Sequence, residues 1–292
     1  MTTFDTPEPI SVAVDLGVAD IRVVASDRRD TVVDVQPRDP SKKADVAAAR
    51  ETRVEFANGA LLVTSPKRWR QWTPWGLGRE AIAVRIELPA GSAVRGSAGV
   101  GALRCAGRIG ECNYRTGVGE ISLEHTGPAT LKAGAGDVTV ERIGGMAEIK
   151  TAGAIRIGRI DGPASIKNAT GDTWIGEVAG EARVRAANGA ISVDVARSSV
   201  AAKTANGNVR LDEVAHGPVV AQSAFGGVDI GVRDGVPAWL ELETKFGTVH
   251  NDLDTADRPA PGEDAVEVHA HTSMGDITIR RSFASSSQGG ES

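Results

Sequence analysis

A glycine returns at almost constant intervals through the middle and the end of this 292-residue chain. The gaps between successive glycines are 18, 17, 17, 18, 18, 18 and 19 residues. A period of this length is typical of a stacked repeat, in which each repeat contacts only its neighbours. The period therefore favours a solenoid before any other feature is considered. These lead glycines are Gly101, Gly119, Gly136, Gly153, Gly171, Gly189, Gly207 and Gly226.

Each lead glycine begins a short run in which apolar and polar residues alternate. In the rung that starts at Gly136, the residues two and four positions later are Val138 and Val140. Residues two apart point to the same side of a strand, so these side chains are predicted to line a buried face. A second strand follows after a corner, and its inward residues are predicted to be Ala147 and Ile149.

The pattern restarts in the same direction in every repeat, which predicts an all-β protein with a parallel β-solenoid. A hairpin array would instead need tight turns between antiparallel strands. Equivalent strands would stack about 4.8 Å apart. Each lead glycine would then occupy a corner that requires a positive φ or a close approach of two backbones. The right-handed form is favoured, although a left-handed helix would also accommodate rungs of ~18 residues.

The ends of such a stack need protection, because an uncapped solenoid exposes unpaired strands. The strand-like runs before the first regular rung are therefore predicted to form a cap, in which residues 41–50 are a short helix or a loop. The predicted segments are a flexible N-terminus at 1–9, a β-rich cap continuous with the solenoid at 10–98, regular rungs at 99–235, irregular rungs and a C-terminal cap at 236–282, and a disordered tail at 283–292.

The composition excludes several classes of protein. Aromatic residues make up only 4% of the chain, so the core must consist of small and β-branched side chains. The net charge is −5, which does not favour nucleic acid as a partner. No apolar run approaches the ~18–20 residues of a membrane helix. Residues 1–9 lack the basic and apolar regions of a signal peptide, so we expect a cytoplasmic protein.

Residues with catalytic or metal-binding potential are few. Cys105 and Cys112 form a C-x6-C pair without the further Cys or His ligands of a zinc site. Both point inward in the predicted register, which favours reduced core thiols over a disulfide. The chain has no H-E-x-x-H, P-loop or G-x-S-x-G motif. We therefore expect no enzyme activity, no cofactor and no metal.

Two sets of polar residues have both a structural and a binding interpretation. His269 and His271 are expected to face solvent on one strand, where a surface metal site with His250 is the less favoured alternative. Polar residues also follow several lead glycines and would line up along one edge of a solenoid. Ordinary turn chemistry is favoured for them over a site for calcium or a polymer. These polar residues are Glu120, Asp137, Asp172, Asn208 and Asp276.

The strongest local anomaly is the segment 67–79, which contains three of the five tryptophans and four basic residues. Trp69, Arg70, Trp72 and Trp75 are candidates for contact with a partner protein, a nucleic acid or a membrane surface. The favoured alternative is a long connection between two cap strands, whose tryptophans fold back over the open end of the solenoid.

Four motifs follow one another along the chain. They are the opening LGVADIR at 16–22, the entry LPAGS at 88–92, rungs such as GDTWI at 171–175 and the closing GDITI at 275–279. In this order they resemble the DUF4097 family of β-strand-repeat proteins, an adhesin-like family of the type found in actinobacteria. The resemblance extends over about residues 10–281. It implies a β-solenoid and brings no catalytic residues.

The function favoured by these features is that of a non-enzymatic structural or interaction protein. A rigid solenoid presents long faces for protein binding or self-association, so the expected partner is a protein or a second copy. One alternative is a polysaccharide-binding or polysaccharide-active β-helix, although an active one would need clustered carboxylates in a groove. The other is a protein that associates with a membrane surface through the loop 67–79.

Overall fold

The computed structural model describes residues 1–66, 80–253 and 265–282. This part of the chain contains 26 strands and one helix of nine residues, so the protein is all-β. The chain divides into two compact units. The N-terminal unit consists of Met1–Gly162 and Ile166–Ala169, and the C-terminal unit of Pro163–Ser165 and Thr170–Ser292.

The elements follow one another along the chain in three groups. The first group is β1 (Thr2–Asp5), β2 (Ser11–Ser26), β3 (Asp30–Pro37), α1 (Lys43–Glu51), β4 (Arg53–Ala57), β5 (Ala60–Thr64), β6 (Ala81–Pro89) and β7 (Ala93–Val100). The regular repeats are β8 (Leu103–Arg108), β9 (Cys112–Val118), β10 (Ile121–Thr126), β11 (Ala129–Ala135), β12 (Val138–Ile143), β13 (Ala147–Thr151), β14 (Ile155–Ile160), β15 (Ala164–Thr170), β16 (Thr173–Val178), β17 (Ala182–Asn188), β18 (Ile191–Ala196), β19 (Val200–Asn206), β20 (Val209–Val214), β21 (Gly217–Phe225) and β22 (Val228–Val232). The last group is β23 (Ala238–Phe246), β24 (Val249–Asn251), β25 (Val266–Met274) and β26 (Ile277–Arg281).

Each rung consists of two strands joined by a corner. We call the sheet built from the strands that follow the lead glycines the leading sheet, and the other one the trailing sheet. In the N-terminal unit, β8, β10, β12 and β14 pair in parallel in the leading sheet, and β7, β9, β11 and β13 in the trailing sheet. In the C-terminal unit, β16, β18, β20 and β22 do so in the leading sheet, and β17, β19 and β21 in the trailing sheet. The predicted parallel β-solenoid is confirmed, while its handedness stays a prediction.

The predicted inward register is also confirmed. Val138, Val140, Ala147 and Ile149 are all buried. The leading strands stack their apolar residues directly on one another, so that Val138 pairs with Ile155 of the next rung. Each fully buried Val or Ile contributes roughly 1.5–3 kcal/mol relative to an exposed one. The core is therefore a stack of thin apolar layers, as expected from a chain with few aromatic residues.

The lead glycines occupy corners that no other residue fits without strain. Gly119 has a φ of +154°, and a Cβ there would lie 1.9 Å from the carbonyl oxygen of Gly101. Gly153 lies outside the left-handed region, but a Cβ there would lie 2.3 Å from the oxygen of Gly136. The glycine column is thus required for close stacking of successive corners. The lead glycines with φ between +100° and +154° are Gly101, Gly119, Gly136, Gly171, Gly189, Gly207 and Gly226.

The N-terminal unit ends in added antiparallel strands. The first half of β2 lies between β5 and β7 and its second half between β6 and β8, so the outermost rung is β5 with β6. Beyond this rung, β4 pairs antiparallel with β5, and β3 pairs antiparallel with β6. The first nine residues were expected to be flexible, but Thr2–Asp5 form β1, which pairs with β3.

Helix α1 completes this N-terminal cap and resolves the helix-or-loop alternative at 41–50. It contacts β3 and β6. Asp45 on its first turn is buried, and one carboxylate oxygen accepts the backbone N–H of Ala81 at 3.1 Å. The other oxygen accepts the N–H of Asp39 at 3.1 Å. The buried carboxylate therefore attaches the helix to the start of β6.

The C-terminal unit ends differently. The last rung in the sequence, β25 with β26, lies between β21 with β22 and β23 with β24. The outermost rung is therefore β23 with β24. Within the described residues, β23 pairs only with β25, and β24 pairs only with β26.

Candidate interaction surface

The sequence-predicted site at 67–79 lies outside the described residues. Contact of Trp69, Arg70, Trp72 and Trp75 with a partner or a membrane therefore stays a prediction. The eight lead glycines lie at the turns between rungs, and seven of them have a positive φ.

The polar residues that follow the lead glycines hold neighbouring rungs together. The Oδ1 atom of Asp137 accepts the N–H of Ala154 at 2.8 Å, and Asp172 accepts the N–H of Ala190 at 2.8 Å. Asn208 and Asp276 make the same contact to the next corner, at 2.9 Å and 2.8 Å. Glu120 instead pairs with Arg104. Hydrogen bonds between neighbouring corners therefore occupy the Asp and Asn side chains, and an ion pair occupies Glu120.

The two cysteines lie in the core of the N-terminal unit beside Tyr114. Both thiols are buried and unbridged. Burial raises the pKa of Cys105 well above its ordinary value and that of Cys112 to about 12. Such thiols stay protonated at neutral pH and are poor nucleophiles. The predicted inward placement of these residues is confirmed.

The outer rung of the C-terminal unit leaves inward-facing apolar residues partly exposed. Leu240 and Leu242 of β23 are only half-buried. Val249 of β24 is 41% exposed, although its partner Ile277 is fully buried. The free side of β23 and β24 also carries backbone N–H and C=O groups that no described strand pairs with. This open edge has both features of a strand that accepts a further strand.

An exposed apolar ladder borders the open edge. Phe225 is paired with Met274, and Met274 is paired with Phe246 on the outermost strand. Their exposed fractions are 56%, 49% and 72%. Each residue directly precedes the glycine of its corner, a position that Asn188 and Asn206 occupy in earlier rungs. We call these three residues the Phe–Met ladder.

Two histidine–glutamate pairs join β25 to β23. Nδ1 of His269 lies 2.7 Å from Oε2 of Glu241, and its Nε2 lies 3.0 Å from Oε1 of Glu267. His271 lies 3.3 Å from Glu243. Glu241, followed by Glu267, raises the pKa of His269 above its ordinary value. Both imidazoles therefore face solvent, as predicted, and their partners are carboxylates.

The described residues contain no group of three or more His, Cys, Asp and Glu arranged to hold a metal ion. In the same part of the chain, no helix is long and apolar enough to cross a membrane.

Sequence reasoning missed the open edge and the Phe–Met ladder. The ladder has a sequence signal, because the residue before the glycine changes from Asn in two successive rungs to Phe225, Phe246 and Met274. The open edge has none, because the chain order of β23 and β25 does not reveal that they exchange places in the stack.

The fold and this surface define a β-solenoid with a capped N-terminal end and an open strand edge in its C-terminal unit. The chain belongs to the DUF4097 family, since the family model described as Toastrack DUF4097 matches residues 10–280. No curated protein matches the chain.

Three solved structures illustrate the similarity. A candidate adhesin from Parabacteroides merdae is 10% identical, with 95% of this chain and 94% of that chain covered and a TM-score of 0.42. A candidate adhesin from Bacteroides fragilis is 12% identical, with coverages of 95% and 96% and a TM-score of 0.35. A candidate cell adhesion protein from Clostridium sporogenes is 11% identical, with coverages of 96% and 98% and a TM-score of 0.20.

Proposed function

We propose that this protein acts without catalysis, as a rigid β-solenoid scaffold that associates with a second copy through its C-terminal edge. The observation that carries the proposal is the outermost rung, in which β23 and β24 each pair on one side only within the described chain. A strand with free N–H and C=O groups is a template for pairing with another strand.

Strand β23 carries charges that are complementary to those of a second, antiparallel β23 strand. Glu243 and Lys245 lie two residues apart on the same, outward face of the strand. If two copies pair antiparallel about Thr244, each Glu243 stands opposite the Lys245 of the other copy. Opposite charges in directly facing positions stabilise a strand pair. The same edge on both copies forms a two-fold interface, which closes the assembly at a dimer.

The apolar surface beside the edge supports the same arrangement. The Phe–Met ladder ends at Phe246, the last residue of β23. Pairing of two β23 strands would bring part of each ladder close to the second copy and remove it from water. Contiguous exposed apolar side chains next to an unpaired edge are a typical feature of an association surface.

The oligomeric state of the full chain, measured by light scattering after size exclusion, tests this proposal. We expect a dimer that dissociates on dilution. In Glu243→Lys, two lysines would face each other across the interface and dissociation would require less dilution. The charge swap Glu243→Lys with Lys245→Glu would restore the dimer. Glu55→Lys on β4 of the N-terminal cap makes the same charge change away from the interface and would leave the dimer unchanged.

Two results would contradict the proposal. One is a wild-type chain that is monomeric at every concentration tested. The other is a dimer that survives Glu243→Lys unchanged, since the interface would then lie elsewhere. Failure of the swap to restore a dimer lost in Glu243→Lys would show that β23 pairs in another register.

A further inference from the structure

A basic residue occupies the fourth position of six successive trailing strands, from β9 to β19. The spacing between these residues is 17 or 18, the same as the rung period. These basic residues all occupy outward positions of their strands, so packing of the core does not require a basic residue at each of them. The six residues are Arg115, Lys132, Lys150, Lys167, Arg185 and Lys203.

Four of these residues belong to the N-terminal unit, and we call them the basic column. Arg115 pairs with Lys132, and Lys132 pairs with Lys150, in directly facing positions. Lys167 holds the same position on β15. Adjacent strands are about 4.8 Å apart, so facing cations repel one another. The C-terminal unit has its own facing pair, Arg185 and Lys203.

Most of the positive charge of the basic column is uncompensated. Lys132 forms an ion pair with Glu148 at 3.1 Å. Arg115, Lys150 and Lys167 are exposed and make no ion pair or hydrogen bond with any residue that the structure describes. A row of like charges without partners is destabilising unless an anion neutralises it. The fold therefore keeps a repulsive row on an otherwise acidic protein.

The surface on either side of the basic column differs in character. On one side lie Asn113, Thr130, Glu148 and Ser165, of which Glu148 is already paired with Lys132 and the other three offer an amide and two hydroxyl groups. On the other side, Gly117 and Gly134 flank Arg115 and Lys132, and Ala152 and Ala169 flank Lys150 and Lys167. A Cβ at Gly117 or Gly134 would lie 2.5 Å from the oxygen of the glycine in the preceding rung. The glycines and alanines leave a flat shelf beside the cations, which we call the glycine shelf.

We propose that the basic column and the glycine shelf bind an acidic polysaccharide of the polyuronate type. Such a polymer carries one carboxylate on each pyranose unit, and the length of that unit is close to the spacing between strands. Its carboxylates would pair with Arg115, Lys150 and Lys167, and its hydroxyl groups would bond to Asn113 and Thr130. The flat shelf leaves room for the rings. This inference does not depend on association of two copies through β23.

Other extended polyanions fit this surface less well. Unstructured nucleic acid strands are bound by basic grooves that also carry aromatic side chains for base stacking, and none of the residues two positions before or after the column residues is aromatic. An extended acidic peptide offers carboxylates but neither flat rings for the glycine shelf nor the hydroxyl groups that Asn113 and Thr130 would bind.

Binding of the full-length protein to polygalacturonate, measured by isothermal titration calorimetry, tests the inference. We expect binding that weakens with added salt, and no binding to the fully methyl-esterified polymer, which has the same backbone without the charges. The triple variant Arg115→Gln, Lys150→Gln and Lys167→Gln would bind about tenfold more weakly, or worse. The control triple variant Lys43→Gln, Arg50→Gln and Arg53→Gln removes the same charge from the N-terminal cap and would bind as wild type does.

Three results would overturn the inference. The first is no binding of the wild-type chain to polygalacturonate at low salt. The second is an equal loss of affinity in both triple variants, because overall charge and not the column would then be responsible. The third is equally tight binding of double-stranded DNA, because the surface would then not select the polymer. Thermal unfolding of each variant verifies that it is folded, which is expected because all six side chains are exposed.

Discussion

The outer rung of the N-terminal unit is covered by added elements, whereas the outer rung of the C-terminal unit has an open edge. At the outer rung of the N-terminal unit, the antiparallel strands β3 and β4 cover both edges, and α1 lies against β3 and β6. At the outer rung of the C-terminal unit, the described residues add no further strand to β23 or β24. Val63 in the first rung is fully buried, whereas Val249 in the last is 41% exposed.

The difference shows that the added strands and helix, and not the repeat itself, protect an outer rung from solvent. Both outer rungs contain the apolar residues that the rung pattern demands, yet only one of them is enclosed. In the N-terminal unit, β3 and β4 cover the outer rung, and the strands left at the edge of the cap, β1 and β4, are short, at four and five residues. The open edge of the C-terminal unit permits one pairing event, which is consistent with a dimer and not with a fibre.

The largest expected effect contrasts the same substitution in the two outer rungs. Val63→Asp places a charge in a fully enclosed site and should destabilise the protein by about 4 kcal/mol or more. Val249→Asp leaves the carboxylate in contact with water, so it should cost less than about 1 kcal/mol. Denaturant unfolding of both variants measures the contrast, and equal losses would mean that the C-terminal rung is enclosed as well.

A second contrast separates two reasons for glycine at a corner, which are a positive φ and the close approach of a neighbouring backbone. Gly119→Val would force its Cβ against the Gly101 oxygen and should cost about 3 kcal/mol or more. Gly59 also has a positive φ, +72°, but a Cβ there meets nothing within 4 Å. Gly59→Val should therefore cost only the backbone strain, of order 1–2 kcal/mol. Thermal unfolding that ranks the two variants in the reverse order would contradict the account of the glycine column.

A smaller effect is expected from the attachment of the cap helix. Asp45→Ala removes the acceptor of the Ala81 and Asp39 amides and leaves two donors without partners. The expected loss of stability is about 1–3 kcal/mol. Asp45→Asn keeps one acceptor oxygen and should lose less. If Asp45→Ala unfolds with the same midpoint as wild type, then α1 does not contribute to the capped end.

The smallest expected effect is on the pH dependence of stability. Ion pairs of the N-terminal cap and of the C-terminal edge should contribute with opposite sign. Near the N-terminal cap, pairing with Arg28 lowers the pKa of Asp30 and Glu87, so this contribution is present above their unfolded pKa values and lost as pH falls. At the C-terminal edge, Glu241 and Glu267 raise the pKa of His269. That contribution is fully present below about pH 6.5 and is lost as pH rises through the raised value.

Two conservative variants separate these contributions. His269→Gln should remove part of the stability that wild type loses between about pH 6 and pH 8. Arg28→Gln should remove part of what it loses between about pH 5 and pH 3. Melting temperatures measured across this range give both comparisons. Identical pH profiles for wild type and both variants would show that neither ion pair affects stability.

The sequence predicted the repeat because its cause is local. A positive-φ corner requires glycine at Gly119 whatever lies nearby, and alternation around Val138 and Val140 follows from strand geometry. The exchange of β23 and β25 could not be predicted, because either order satisfies the same alternation. Residues such as Leu240 and Leu242 appear as core positions in the sequence, and only the stacking order leaves them half-buried.

The central claim is that β23 and β24 form an open edge that a second copy closes, whereas the outer rung of the N-terminal unit is covered by β3 and β4 of the same chain. Hydrogen exchange of the full chain at high and low protein concentration tests it most directly. We predict that amides at 238–251 become protected at high concentration, and that amides of β3, β4 and β6 exchange at the same rate under both conditions. Equal and strong protection of 238–251 at both concentrations would contradict the claim.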